Sequence, residues 1–102
     1  MKNLILFVIA IFYAGQSLSA NEELKPFSAL AATLHTGQIY EHYKGKQYKI
    51  LSVARNSETL EESVVYQALY GNQDVWVRPL RMFLENVVVE GKSLPRFKLI
   101  RQ

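Results

Sequence analysis

Short runs of alternating apolar and polar residues, cut every few positions by Gly, Asn, Asp, Ser or Pro, fill the chain from Gly37 to Ile100. A period of two with such breaks predicts strands joined by tight links rather than long helices. Residues 38–43 and 47–55 flank Lys44-Gly45-Lys46, where Gly45 can take the positive φ of a tight turn, and they are expected to pair as a hairpin. Residues 64–69 and 75–78 flank Tyr70-Gly71-Asn72-Gln73-Asp74 and predict a second hairpin. Residues 87–90 and 96–100 surround Gly91-Lys92-Ser93 and predict a third, with Pro95 confined to an edge or a strand start because it has no N–H to donate. Between the second and third hairpins, residues 80–85 lose the alternation and are expected to form a helical turn plugging one open end.

In the second strand Leu51 and Val53 share one face while Tyr48 and Ile50 share the other, so both faces are partly apolar. That is the pattern of a strongly bent sheet packed on itself. The expected fold is therefore mainly β: a small SH3-like antiparallel barrel over residues 37–102, with a short N-terminal helix ahead of it. Ile39, Leu51, Val53, Val65, Leu69, Val77, Phe83, Val88, Phe97 and Leu99 are the expected core, and Trp76 is expected to be at least half buried, since a lone Trp is a large share of a small domain's apolar area.

The start of the chain has a different texture. Lys2 precedes an eleven-residue apolar run from Leu4 to Ala14, and Gln16-Ser17-Leu18-Ser19-Ala20 follows with small or neutral residues. A helical membrane span needs about 20 apolar residues, so residues 1–20 read as a secretory signal peptide cleaved after Ala20, with an uncleaved membrane anchor as the alternative. The protein is then expected to be exported, to the periplasm or the medium. Residues 21–36 follow as a helical or flexible segment, in which Phe27, Leu30, Ala31 and Leu34 recur at three- and four-residue steps. It can dock through Phe27, Leu30 and Leu34 or remain a tether.

Composition narrows the function classes. A length of 102 residues allows one small domain, and an apolar share of 49% excludes disorder of the whole. The absence of Cys removes disulfides, thiolate metal sites and a cysteine nucleophile. Twelve Lys and Arg against nine Asp and Glu give +3, falling to +2 once Lys2 leaves with the signal. So weak a charge argues against nucleic acid, although Lys44, Lys46, Lys49 and Arg55 beside tyrosines keep a nucleic-acid-binding barrel as one alternative. His42 is the only histidine within residues 37–102 and the carboxylates lack metal-loop spacing, so neither a metal nor another cofactor is expected.

The densest polar segment is residues 55–62. Thr59 and Glu62 have capping-box spacing, which predicts a short helical turn; the sharper reading makes Ser57, Glu58 and Glu61 the rim of a ligand cleft. Arg78, between Trp76 and Pro79, can clamp a ligand carboxylate through two parallel hydrogen bonds or brace Glu58, Glu61 or Glu85. Tyr40, Tyr43, Tyr48, Tyr66 and Tyr70 are too many to bury every hydroxyl, so some can line a groove. The ligand-binding candidates are Tyr43, Ser57, Glu58, Glu61, Tyr66, Trp76 and Arg78. Catalysis has little support; its one drawing on paper is a small hydrolase using Ser57, His42 and Glu58.

A series of blocks carries a resemblance: His42-Tyr43-Lys44-Gly45, Ser57-Glu58-Thr59-Leu60-Glu61, Val64-Val65-Tyr66, Leu69-Tyr70-Gly71, Trp76-Val77-Arg78-Pro79, Met82-Phe83 and Pro95-Arg96-Phe97. In this order and spacing they resemble domain of unknown function family 1653, a group of short bacterial proteins, from Gly37 to about Leu99. The resemblance implies a compact, mainly β domain and no activity, since that family has none assigned. Its members are usually bare cytosolic domains, and they often have His where this chain has Asn56. The expectation is a non-enzymatic binding or interaction module whose partner is a peptide, a glycan or a protein.

Overall fold

The computed structural model describes residues 25–102. The expected signal peptide and the start of the 21–36 segment lie outside the described residues. Seven strands follow one another: β1 (Ile39–His42), β2 (Gln47–Arg55), β3 (Glu62–Ala68), β4 (Val75–Pro79), then a helical turn at Leu80–Phe83, β5 (Asn86–Val89), β6 (Lys92–Pro95) and β7 (Phe97–Arg101). Five form an antiparallel sheet in the order β4-β3-β2-β1-β7, and β5 and β6 form a separate two-stranded ribbon.

The domain is mainly β, but the sheet does not close into the expected barrel: β4 and β7 are its two edges and do not pair. The third hairpin also differs. Glu90 and Gly91 both have positive φ, 52° and 79°, which is the backbone of a two-residue primed turn, so β5 turns straight back into β6. That uses Lys92–Pro95 as a strand and frees Phe97–Arg101 to cross to β1. The crossing is fixed by backbone bonds on both sides, Arg96 N–H to Glu85 O and Tyr43 N–H to Arg96 O, each 3.0 Å. The first two hairpins form as expected, with Gly45 at φ 104° and Gly71 at φ 58°.

The core takes the other phase of the alternation. Tyr40, Ile50, Val64, Tyr66, Leu80, Phe83 and Phe97 are buried together, whereas Val77 and Val88 are 67% and 74% exposed and Leu69 and Leu99 are also exposed. Of the expected core only Ile39, Phe83 and Phe97 are fully buried; Leu51, Val53 and Val65 are half-buried. Tyr40, Tyr48 and Tyr66 lie in phase with Ile50 and Val64, and an aromatic ring removes more area from water than a Val or Leu, so the aromatic phase turns inward. A bulge between Ile50 and Ser52 then inserts Leu51 as an extra residue and brings Val53 back to the core side. Phe83, carried by the helical turn, stacks on Phe97 at 4.1 Å and meets Tyr40 edge-on at 5.3 Å.

Instead of a helix, the described part of the N-terminal segment has one 3-10 turn, Ala31–Thr33. Glu62 shapes it: its carboxylate accepts the Ser28 N–H and the Ser28 hydroxyl, both at 2.7 Å, and the Ser28 oxygen accepts the Ala31 N–H. Ala31 and Leu34 thereby join the core while Phe27 and Leu30 stay exposed. Gln38, buried beside them, accepts the His35 N–H at 2.8 Å and donates to the Gln102 side chain at 3.0 Å, tying this segment to Gln102. Glu62 is therefore not the far half of a capping box. In the 55–62 loop Asn56 Oδ1 accepts the N–H groups of Glu58 and Thr59, and Leu60 takes a positive φ of 64°.

Candidate functional site

One face of the sheet ends in an aromatic cup. Its residues come from five strands and one loop: His42 from the end of β1, Tyr48 from β2, Tyr66 from β3, Tyr70 from the β3–β4 loop, Trp76 and Arg78 from β4, and Phe97 from β7. The register explains the convergence, since His42 lies opposite Phe97 and Tyr66 opposite Trp76. The rings meet edge-to-face: Tyr48 lies 5.3 Å from Tyr66, 5.5 Å from Tyr70 and 5.7 Å from Phe97, and His42 is 4.9 Å from Phe97. Such a lattice is rigid, because each ring is held by the face or edge of the next. The enclosed space is about 170 Å³.

The cup's polar groups are mostly fixed by one another. The hydroxyls of Tyr48 and Tyr70 share a hydrogen bond at 2.7 Å, and burial together with that bond pushes the Tyr48 phenol up to about 12. The Arg78 guanidinium lies over the Phe97 ring at 5.7 Å and donates its Nε–H to the Tyr66 hydroxyl at 3.2 Å. Among the described residues no carboxylate pairs with it: Glu61 pairs with Arg81 at 2.9 Å and Glu85 with Arg96 at 2.7 Å. The Nη groups thus remain as a fork over an apolar floor. Lys46 sits over the Tyr70 ring at 4.8 Å and adds a second cation at the rim. Burial, then Arg78, Arg96 and Lys44, hold His42 below the ordinary imidazole range, and its Nδ1 accepts the Lys44 N–H at 3.1 Å.

Of the sequence-derived candidates, Tyr66, Trp76 and Arg78 come together here. Trp76 is 51% exposed, at the half-buried limit of what its apolar area led us to expect, and forms a wall of the cup. Tyr43 stacks on His42 but lines a neighbouring hollow of about 440 Å³ with Glu41, Gly45, Leu94, Pro95 and Lys98. That hollow is larger, yet its charges are scattered and of both signs. Ser57 and Glu58 stand in the exposed loop beyond β2, and Glu61 lines a separate groove with Ser28, Leu30 and Arg81. His42 and the 55–62 loop lie at opposite ends of β2, which at about 3.3 Å per residue separates them by roughly 26 Å. The hydrolase drawing of Ser57, His42 and Glu58 is not assembled.

None of His42, Tyr48, Tyr70 and Phe97 stands among the ligand-binding candidates: Phe97 is expected in the core, His42 enters only the hydrolase alternative, and Tyr48 and Tyr70 are two of five tyrosines of which some can line a groove. The signal that could find them is aromatic phase: Tyr48 and Tyr66 alternate in step with Ile50 and Val64 on adjacent strands, so their rings have to meet on one face.

Fold and site together define a small, open antiparallel β domain with an aromatic cup tipped by an arginine that has no carboxylate partner among the described residues. The chain belongs to the family described as protein of unknown function DUF1653, whose profile matches residues 38–99. A crystal structure of a protein belonging to DUF1653 from Bordetella bronchiseptica is 36% identical, with a TM-score of 0.62, over 70% of this chain and 92% of that one. No curated protein matches the chain.

Proposed function

We propose that the domain is a non-enzymatic binding module and that the cup of Tyr48, Tyr66, Trp76, Arg78 and Phe97 captures a carboxylate-bearing group of its ligand. The single observation that carries the reading is Arg78: half-buried over an aromatic floor, held at Nε by Tyr66 and without a carboxylate among the described residues. With Nε committed, the two Nη groups keep the parallel donors that match a carboxylate. Trp76 and the tyrosines supply flat contact area for the apolar part of the ligand. The signal-like character of residues 1–20 supports an exported setting for this activity, in which the partner is a peptide, a glycan or another protein.

The chain's single Trp makes the test direct. Titration of the full chain with glutarate should change Trp76 emission saturably, and Arg78→Lys should weaken that response because Lys keeps the charge but loses the fork. Absence of a saturable change in the unmodified protein, or an undiminished one in Arg78→Lys, refutes the reading.

A further inference from the structure

We infer that the free edge of β4 receives an extended acidic peptide as an added strand, an inference that rests on the cup as a binding site and specifies the form in which its ligand arrives. β4 is the outer strand of the five-stranded sheet, and among the described residues no strand pairs with its far side. Which backbone groups are free follows from one bond. Ala68 N–H donates to Asp74 O at 2.9 Å, and these residues continue the β3–β4 register. Antiparallel pairs alternate between bonded and non-bonded, so Trp76 and Arg78 turn their N–H and C=O toward β3, while Val75, Val77 and Pro79 turn theirs outward. Pro79 thus falls where its missing N–H costs no ladder bond. Val75 and Val77 present two outward N–H and two outward C=O groups in a row.

Side chains on β4 alternate as well. Trp76 and Arg78 belong to the cup, and Val75 and Val77 stand exposed on the opposite face. A peptide laid along this edge takes the same alternation: residues opposite Val75 and Val77 make the backbone bonds and cover the two valines, and a residue opposite Arg78 points into the cup. The charge there selects an acid. Arg78 and Lys46 are both cationic and neither has a carboxylate partner among the described residues. A second copy of a chain with net charge +3 is the poorer match.

An antiparallel probe for this geometry is the peptide acetyl-Thr-Glu-Val-Thr-Val-Thr-amide, which sets Glu opposite Arg78 and its valines opposite Val77 and Val75. Added to the full chain, it should shift Trp76 emission saturably. Replacing its Glu by Gln should weaken binding by about tenfold. N-methylation of both valines should abolish binding, since those N–H groups bond the edge, whereas N-methylation of the Glu, whose N–H faces away, should be tolerated. Indifference to valine methylation overturns strand addition. A peptide that fails to bind while glutarate still perturbs Trp76 overturns it too but leaves the cup standing; failure of both probes removes the cup as well. Sedimentation showing the full chain already paired through β4, with the probe unable to displace it, assigns the edge to a second copy and equally overturns the proposal.

Discussion

Arg78 reaches Tyr66 diagonally across the β3–β4 pair, Nε to hydroxyl at 3.2 Å, although its direct neighbour on β3 is Val64. A guanidinium bonded to a phenol, with no carboxylate paired to it among the described residues, is held in place without being neutralised. Arg78→Lys should therefore leave the melting temperature close to that of the unmodified protein. The pair Arg78→Lys with Glu58→Gln should be additive in stability, and Arg78→Lys with Tyr66→Phe should be coupled by about 1 kcal/mol, the worth of one hydrogen bond. Melting of the single and double variants checks this, and coupling to Glu58 would return Arg78 to the role of a brace.

Burial separates the aromatic residues into two kinds. Phe83 is fully buried, stacked on Phe97 and touched by Tyr40, so Phe83→Ala should cost about 3 to 5 kcal/mol and can unfold a domain of this size. Trp76 keeps half its surface in water, so Trp76→Ala should cost far less, about 1 kcal/mol, while removing a wall of the cup. Denaturant unfolding of the two variants distinguishes them; equal losses would mean that Trp76 carries core packing.

The parts of the fold that could be read from the sequence are those set by local chemistry. Gly45 and the loop around Gly71 required their hairpins whatever packed against them, and residues 80–85 lost the strand period because Leu80 and Phe83 both had to face inward from one helical turn. What could not be read depended on choices between near-equals. With Leu51 and Val53 on one face of β2 and Tyr48 and Ile50 on the other, burial of rings in three strands decides the phase, and no single strand contains that comparison. The turn at Glu90-Gly91 is hidden because Glu is a rare occupant of a left-handed position, so the alternation predicts a loop where β6 lies and pairs the β7 residues with β5. At the site, Tyr66, Trp76 and Arg78 were legible as neighbours in a hairpin. The carboxylates were not, because whether Glu61 meets Arg78 or Arg81 is settled by a helical turn whose placement the alternation does not fix.

Processing is expected after Ala20. The intact mass of the exported protein should correspond to a chain beginning at Asn21, and recovery of residues 1–20 on a membrane-bound form would replace a secreted module with an anchored one.

Glu62 fastens the N-terminal segment through Ser28. Both bonds from Ser28, with a smaller contribution from Arg55, hold the carboxyl below its ordinary 4.5 against the opposing effect of desolvation. A carboxylate depressed in the folded state contributes stability that is present above the unfolded value and lost as pH falls through the folded one. Protection of the Ser28 and Ala31 amides against hydrogen exchange, taken relative to the intrinsic rate at each pH, should therefore fall below about pH 4.5. In Glu62→Gln exchange there should be fast even at neutral pH, with β2 and β3 still protected. Unchanged exchange at Ser28 in the variant would show that Ala31 and Leu34 hold the segment without the carboxylate.

His42 should give the cup two opposite pH trends from one proton. Burial, and then the positive charges of Arg78, Arg96 and Lys44, lower its folded-state value below the ordinary 6.5, and protonation at Nδ1 would also remove the acceptor of the Lys44 N–H. Below pH 6.5 the unfolded chain then binds more protons at this site than the folded one, so the stability His42 contributes is intact above 6.5 and declines as pH falls through 6.5 toward the folded value. His42→Phe keeps a ring against Phe97 and should flatten that decline. Ligand affinity should move the other way. A carboxylate held by Arg78 brings negative charge to the same cup, which favours the imidazolium, and by linkage the proton favours the carboxylate. Between pH 7.5 and about 5, where a ligand carboxyl remains ionised, glutarate should bind the unmodified protein more tightly as the solution is acidified, and His42→Phe should remove the slope. The two measurements, melting and Trp76 titration across one pH series, have to change in opposite directions and lose their slopes together in His42→Phe. A slope in affinity that survives the substitution would place the titrating group elsewhere and separate His42 from the site.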